Sequence, residues 1–343
     1  MFDKITWLDK PHILKRLLEL DAQETVTQPE MAIIIYREFP EDFLTVPTRD
    51  QVKNALASAR EKSEYLADLP IAQIMPYYSK YESIIQGDET VEKDTATLQS
   101  ILSKSKRKVC VISDLHIPFS DEEKLQKAID LNRSADILVI AGDVLEMYGT
   151  SKWRKRKYVP HFTELDNGVR VLEYLSKLFP IIYVLRGNHD ARPMKKVFDI
   201  LPAELYYLLK SEDTLGMLIR PFSNVFYVDD WVFQIGDALI AHAERSSAID
   251  GKPPVLTAEF FLHKGWAKRM SMGEIRLIVQ AHTHQISSMY REDLKMMECG
   301  AMCQTLEYTY DPSASMRPPQ NGFVSITQYN GITNFNETRE FLL

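Results

Sequence analysis

Five short aliphatic runs, each ending within a few residues of an Asp, Asn or His, constrain this chain more than any other feature. They are Val109-Cys110-Val111-Ile112-Ser113, Ile137-Leu138-Val139-Ile140-Ala141, Ile181-Ile182-Tyr183-Val184-Leu185, Ala238-Leu239-Ile240-Ala241 and Arg276-Leu277-Ile278-Val279-Gln280-Ala281. Runs this short, without polar alternation, predict strands buried on both faces, as in a parallel sheet covered by helices. In open α/β sheets the loops leaving the carboxyl ends of parallel strands converge, and ligands bind there. The residues at those ends are Asp114, His116, Asp143, Asn188, His242, His282 and His284. The pattern therefore predicts polar ligands gathered along one edge of a sheet.

A chain of 343 residues with 45% hydrophobic content can bury a large core and exceeds the usual single-domain size. Its net charge of -7 and pI near 5.7 give no global basic footprint for gripping nucleic acid, so a polyanion would have to be met by a local patch. Cys110, Cys299 and Cys303 lack zinc-ribbon spacing and read as reduced core thiols, which points to the cytoplasm. No stretch has the apolar length of a membrane span, and Met1-Phe2-Asp3-Lys4 lacks the layout of a secretory signal.

Residues 1–105 read as an N-terminal all-α region and residues 106–343 as a catalytic domain, with a linker from Gln86 to about Lys106. Thr27 with Glu30 and Thr48 with Gln51 predict two helix starts with capping boxes, and Pro40 to Pro47 separates the helices. Such helices suit either a helix-turn-helix unit or a packing and homo-oligomerisation module. The 18 acids against 12 bases through Ser105 favour the second, because phosphate would be repelled. Ser120 with Glu123 predicts another capping box, opening a helix that runs to about Leu131. Runs around Ile286 to Tyr290, Leu294 to Glu298 and Phe323 to Tyr329 alternate and suit a mixed or antiparallel second sheet.

The residue types at the strand ends name a chemistry. Asp114 and His116 are two apart, so on extended backbone both would leave on one face and could share an ion. Asp143 follows Gly142, which permits a tight turn, and a carboxylate has two oxygens with which to bridge two cations. Asn188 adds a neutral oxygen, while the further imidazoles of His242, His282 and His284 suit manganese, iron or zinc better than calcium or magnesium.

In order and approximate spacing, Asp114-Leu115-His116, Gly142-Asp143, Gly187-Asn188-His189-Asp190, His242 and Ala281-His282-Thr283-His284 resemble the calcineurin-like metallophosphoesterases, over about residues 106 to 300. The resemblance implies a four-layer α-β-β-α metallophosphoesterase sandwich. It also implies one ion held by Asp114, His116 and His284, a second by Asn188, His242 and His282, and Asp143 bridging the two. Two such ions lower the pKa of a shared water for in-line attack on phosphorus. By the same resemblance His189 is the general acid or phosphate-orienting group, with Asp190 holding its imidazole. Ala281 replaces the usual glycine, which negative φ would tolerate; Glu146 replaces a second aspartate at a position expected to lie outside the ligand set.

For the substrate, Arg186 could pair with phosphate or serve as a structural partner. Lys152-Trp153-Arg154-Lys155-Arg156-Lys157-Tyr158 is the densest cationic run, either a solvated face or a loop attracting a polyanion and stacking on a base. Tyr148 and Trp153 would form a pocket rim or pack that loop down, and Pro312 to Pro319 predicts a loop over the site. These features favour a phosphodiester, including nucleic acid, as in a nuclease. A phosphomonoester or phosphoprotein is the alternative, since protein phosphatases also carry an arginine before Gly-Asn-His. An assembly or nucleic-acid-binding factor is the reading from another class. Tyr36-Arg37-Glu38-Phe39-Pro40-Glu41-Asp42-Phe43 resembles phage and prophage proteins that place a helix-turn-helix segment ahead of a phosphoesterase.

Overall fold

The computed structural model describes residues 13, 16–17, 20–21, 26–39, 46–66, 91–150, 159–200, 214–247, 249–306 and 317–343. The cationic run with Lys152, Trp153 and Arg154, and residues 312–316 of the proline-rich stretch, lie outside the described residues. The chain divides into two compact units, Met1–Ser79 and Lys80–Leu343.

In the first unit, α1 (Gln28–Glu38) and α2 (Arg49–Leu66) follow the anticipated starts. The Glu30 carboxylate accepts from the Thr27 amide at 2.8 Å and from its hydroxyl at 2.7 Å. Thr48 and Gln51 satisfy each other reciprocally: the Thr48 amide donates to Gln51 Oε1 at 2.7 Å and the Gln51 amide to Thr48 Oγ1 at 3.3 Å. Met31, Ala32 and Ile35 meet Val52, Ala55 and Leu56 in a separate small core that also takes in Ile13, Leu17 and Leu20.

The second unit begins before its first strand. The Val91 and Asp94 amides donate to Arg220 O and Ser223 O, and Lys93 Nζ to Ile219 O and Phe222 O at 3.2 and 2.8 Å. Residues 91–105, grouped in the sequence with the helical region, thus pack on this unit through α3 (Thr95–Leu102). Ile101 of that helix is buried in the main core.

Strand β1 (Lys106–Ile112) is followed by α4 (Glu122–Leu131), β2 (Ile137–Ile140), α5 (His161–Leu178), β3 (Ile181–Leu185), α6 (Arg192–Ile200), α7 (Thr214–Ile219) and β4 (Val225–Val228). Strands β1 to β4 pair in parallel and in order. Next come β5 (Val232–Ile235), β6 (Ala238–Ala241), α8 (Lys252–Ala258), α9 (Trp266–Arg269), β7 (Leu277–Gln280), β8 (Ile286–Arg291) and β9 (Leu294–Cys299). Together the five strands make a second sheet in the order β5-β6-β7-β9-β8. Three closing strands, β10 (Gly322–Tyr329), β11 (Ile332–Thr333) and β12 (Arg339–Leu342), return to the first sheet, with β10 antiparallel to β1.

Strand alternation divides the apolar residues among three cores. Val109, Val111, Ile137, Val139 and Ile181 face Ile240, Leu277, Val279 and Met297 between the sheets. Cys110, Ile112, Leu138 and Ile140 turn outward onto helix residues such as Leu125, Ala128, Leu172 and Leu175. On the far side, Leu239, Ile278 and Met296 meet Ala258 and Phe261. The result is helix, sheet, sheet and helix in four layers, the expected sandwich.

Three sequence expectations need correction. The ligand-bearing strands belong to two sheets, not one, because the β6 and β7 runs are buried between the inter-sheet core and a helical layer of their own. Phe323 to Tyr329 lies in the first sheet, where β10 has both faces largely covered. The cap of α4 is Asp121, whose carboxylate accepts from the Lys124 amide at 3.1 Å; Ser120 is instead bridged to Cys303.

Phe179, 2% exposed, fills the helix-covered core of the first sheet. Phe179→Ala should destabilise the second unit by about 3–5 kcal/mol, read as a lower urea midpoint with the slope unchanged.

Candidate metal centre

Every strand that carries a candidate donor ends in a turn, and the turns are tied to one another. The Asp114 amide donates to Gly142 O at 3.1 Å, His116 N to Asp143 O at 3.0 Å and Ile117 N to Val144 O at 2.9 Å. Ala281 N donates to Ala241 O at 2.8 Å, and His282 N to the Asp114 carboxylate at 3.1 Å. Asp114, His116, Asp143, His282 and His284 all have positive φ, between 46° and 78°. Non-glycine residues avoid this region, and such strain persists only where the surroundings over-determine it. Asp114 and His116 therefore converge through paired left-handed turns rather than by the alternation of an extended strand. Ala281 is outside the positive-φ set, which explains why a methyl group fits where glycine is usual.

Two glycines make the approach of these turns achievable. Gly142 sits at φ +85°, where an added Cβ would strike the His242 ring. A Cβ on Gly187 would overlap the Asp143 amide and carboxylate.

The structure brings all seven strand-end residues together. His116 Nε2 lies 3.0 Å from His284 Nε2, and His284 Nε2 lies 3.2 Å from Asp114 Oδ1. His242 Nε2 lies 3.1 Å from Asn188 Oδ1 and 3.2 Å from Asp143 Oδ2. Donor groups Asp114, His116 and Asp143 form one cluster and Asp143, His242 and His282 another, with Asp143 common to both.

The donor set fits cations on three counts. Two imidazole nitrogens 3.0 Å apart match neighbouring donors on one ion, since bonds of about 2.1 Å at right angles place donors about 3 Å apart. Asp114 Oδ1 is buried with no hydrogen-bond partner. The cluster also stabilises positive charge. Burial opposes protonation of His242, yet Asp143 overrides it and lifts the imidazole to about 9. His282 goes the other way, to about 4, through burial and the neighbouring His242. Burial alone would raise the Asp143 carboxyl, but His242, His189 and His116 hold it well below the usual range.

His189 is buried beside this array, with its amide donating to Asp143 Oδ1 at 2.8 Å and Nε2 3.8 Å from Asp143 Oδ2. Asp190 does not hold its imidazole. The Asp190 carboxylate accepts from the backbone amides of Leu145, Gly187 and Val144 at 2.9, 2.9 and 3.3 Å, pinning two turns together. Burial, then Asp143, raises that carboxyl to about 7. Glu146 takes the place expected for Asp190: its Oε2 is 2.9 Å from His189 Nδ1 and 2.6 Å from His116 Nδ1. The sequence placed Glu146 outside the ligand set without assigning it a partner; its place three residues after Asp143 was the signal available.

Arg186 points to a different partner, the Asp229 carboxylate, with which it makes a close ion pair. Tyr148 is 8% exposed and packs edge-on against Phe119, so it belongs to the wall rather than to an open rim. The end of the proline-rich loop reaches the site: the Gln320 amide donates to His284 O at 2.8 Å, and Gln285 Nε2 to Pro318 O at 3.1 Å. All three cysteines are buried and free.

The layered sheets and the donor cluster at their shared edge define a metallophosphoesterase fold. The sequence profile of the calcineurin-like phosphoesterases matches residues 107–286, and the chain belongs to that family of metal-dependent phosphoric ester hydrolases. Over 112 residues it is 29% identical to the Gene 54 protein of Mycobacterium phage L5. That match covers 30% of this chain and spans only 43% of the length of the phage protein. Among solved structures, an archaeal phosphodiesterase shares 16% identity over 69% of this chain and 99% of its own, with a TM-score of 0.37. A metallophosphoesterase from Sphaerobacter thermophilus shares 14% identity over 69% and 88%, with a TM-score of 0.34. Similarity at that level adds nothing to the residue geometry.

Asp190→Asn would turn an amide NH2 toward backbone donors that now meet carboxylate oxygens. Stability should fall by about 1–3 kcal/mol in urea denaturation of the metal-free protein, the cost of a buried unmatched donor. An unchanged midpoint would remove the structural role.

Proposed function

We propose that the protein hydrolyses a phosphate ester, a phosphodiester in preference to a monoester, with two divalent ions in the cluster. The carrying observation is that Asp143 is common to the groups Asp114, His116 and Asp143 and Asp143, His242 and His282, with His284 against His116 and Asn188 against His242, and that the buried Asp114 Oδ1 makes no hydrogen bond. Asp114, His116 and His284 would hold one ion and Asn188, His242 and His282 the other, with Asp143 between them. When bound, such a pair lowers the pKa of water and neutralises phosphoryl oxygens. Nitrogen-rich donors favour manganese, iron or zinc over magnesium.

The protein's own residues supply the rest. His189 orients the phosphoryl group or protonates the leaving oxygen from Nε2, while Glu146 on Nδ1 fixes the ring. Arg186, paired with Asp229, is read as a structural partner rather than as the phosphate contact that the protein-phosphatase alternative would need. Lys152, Trp153 and Arg154 remain proposed contacts for an extended polyanion such as nucleic acid. Tyr148, buried against Phe119, is read as a wall residue rather than a substrate contact. The N-terminal helices would serve recruitment or self-association. No helix among the described residues is long and apolar enough to cross a membrane, and three unpaired buried cysteines support a cytoplasmic setting.

The test is elemental analysis together with turnover of a small phosphodiester, a phosphomonoester, single-stranded DNA and duplex DNA, each with manganese. Two ions per chain and fastest turnover of a diester are expected. His189→Gln should lower kcat by about 10²–10⁴-fold, and Asp143→Asn or a chelator should abolish turnover, with manganese restoring it only to the chelated wild type. Equal rates for wild type and both variants would end the proposal. Faster monoester cleavage would shift it to a phosphatase, and salt-sensitive DNA binding without cleavage to a binding factor.

A further inference from the structure

Arg192 opens α6 two residues beyond Asp190, and its amide donates to His189 O at 3.0 Å, so one turn presents both side chains. Its guanidinium is anchored on one edge, with Nη1 donating to Glu146 O at 3.0 Å. Nη2 lies 2.6 Å from His189 Nε2. That nitrogen is in turn 3.8 Å from Asp143 Oδ2, the carboxylate common to both donor clusters. The arginine is thus one imidazole away from the centre of the site, while 20% of its side chain remains exposed.

The resting partners of this cation are poorly matched to it. An arginine is always charged and has five donors in a planar fork suited to carboxylate or phosphate. Here Nη2 meets an imidazole nitrogen, while Nη1 donates to a carbonyl and only at 3.4 Å to a carboxylate. That carboxylate oxygen, Glu146 Oε1, is at the long end of an ion pair, and the other oxygen of the group serves His116 and His189. Arg186, by contrast, pairs closely with the Asp229 carboxylate. Charge-assisted bonds to an anion are about twice as strong as neutral ones. A phosphoryl oxygen arriving beside His189 Nε2 would therefore be the better acceptor for Nη2.

We propose that Arg192 grips the substrate's phosphoryl group through the Nη2 edge now resting on His189, an inference that relies on the phosphoester reading above. Transfer of Nη2 to a phosphoryl oxygen would free the Nε2 edge of His189 to face the phosphoryl group. Arg192 then binds substrate and also keeps His189 covered until substrate arrives.

The test titrates inorganic phosphate calorimetrically into manganese-loaded wild type, Arg192→Met and Arg192→Lys, with elemental analysis of each. The KM and kcat for bis-p-nitrophenyl phosphate are measured in parallel. Arg192→Met should weaken phosphate binding by roughly 10- to 100-fold, the range for a hydrogen bond to a charged group, and raise KM, with metal content unchanged. Arg192→Lys, which keeps the charge without the fork, should fall between. Phosphate affinity unchanged in Arg192→Met, or a fall in kcat alone, would overturn the assignment. Loss of metal in that variant would overturn it too, by showing that Arg192 only steadies Glu146. Absence of turnover in wild type would remove the hydrolase reading, whereas the phosphate titration needs no turnover and decides Arg192 separately.

Discussion

The lacing of strand-end turns across the top of the sandwich is the constraint on which the rest depends. Five donor-bearing residues occupy left-handed backbone, a conformation costing of order 1–3 kcal/mol each for such residues. Turn-to-turn bonds resist their relaxation, among them Asp114 N to Gly142 O, His116 N to Asp143 O and Met302 N to Ser113 O. The three cores below hold the strands from which those turns spring. Apolar burial thus maintains a polar arrangement that short-range preference alone would not adopt.

Much of this was legible in the sequence because burial on both faces leaves an unmistakable mark. Ile137–Ile140 and Leu277–Gln280 read as uninterrupted strands because helices and a facing sheet cover them. The side chains after those strands stood out because polar residues directly after a buried run need a use. What stayed hidden was pairing between distant segments. Runs such as Ala238–Ala241 and Val109–Ile112 look alike, yet one lies in each sheet, and only long-range register separates them. The return of Gly322–Tyr329 to pair with β1 was hidden for the same reason.

At the site, residue types were readable and second partners were not. Asp190 follows His189 in the chain, which suggested contact, but its side chain turns to three amides that the sequence cannot display. Glu146 reaches His189 because its turn is bonded to the one following β1, with Glu146 N donating to Ile117 O at 3.0 Å. Arg192 escaped notice because nothing marks a lone arginine at a helix start. The extra methylene of Glu146, relative to aspartate, lets one carboxylate reach both His116 and His189.

The division of the donors between two sheets has a consequence for how the protein assembles. Asp114, His116, Asp143 and Asn188 leave the first sheet, while His242, His282 and His284 leave the second. Neither sheet alone carries a complete pocket, so the pocket comes into being only when the inter-sheet seam closes. A cation occupying it would clasp the seam, and its chemical potential would bias that closure by mass action. Ion supply and maturation of the sandwich would then form one linked equilibrium, making the seam a natural checkpoint between a collapsed chain and a competent one.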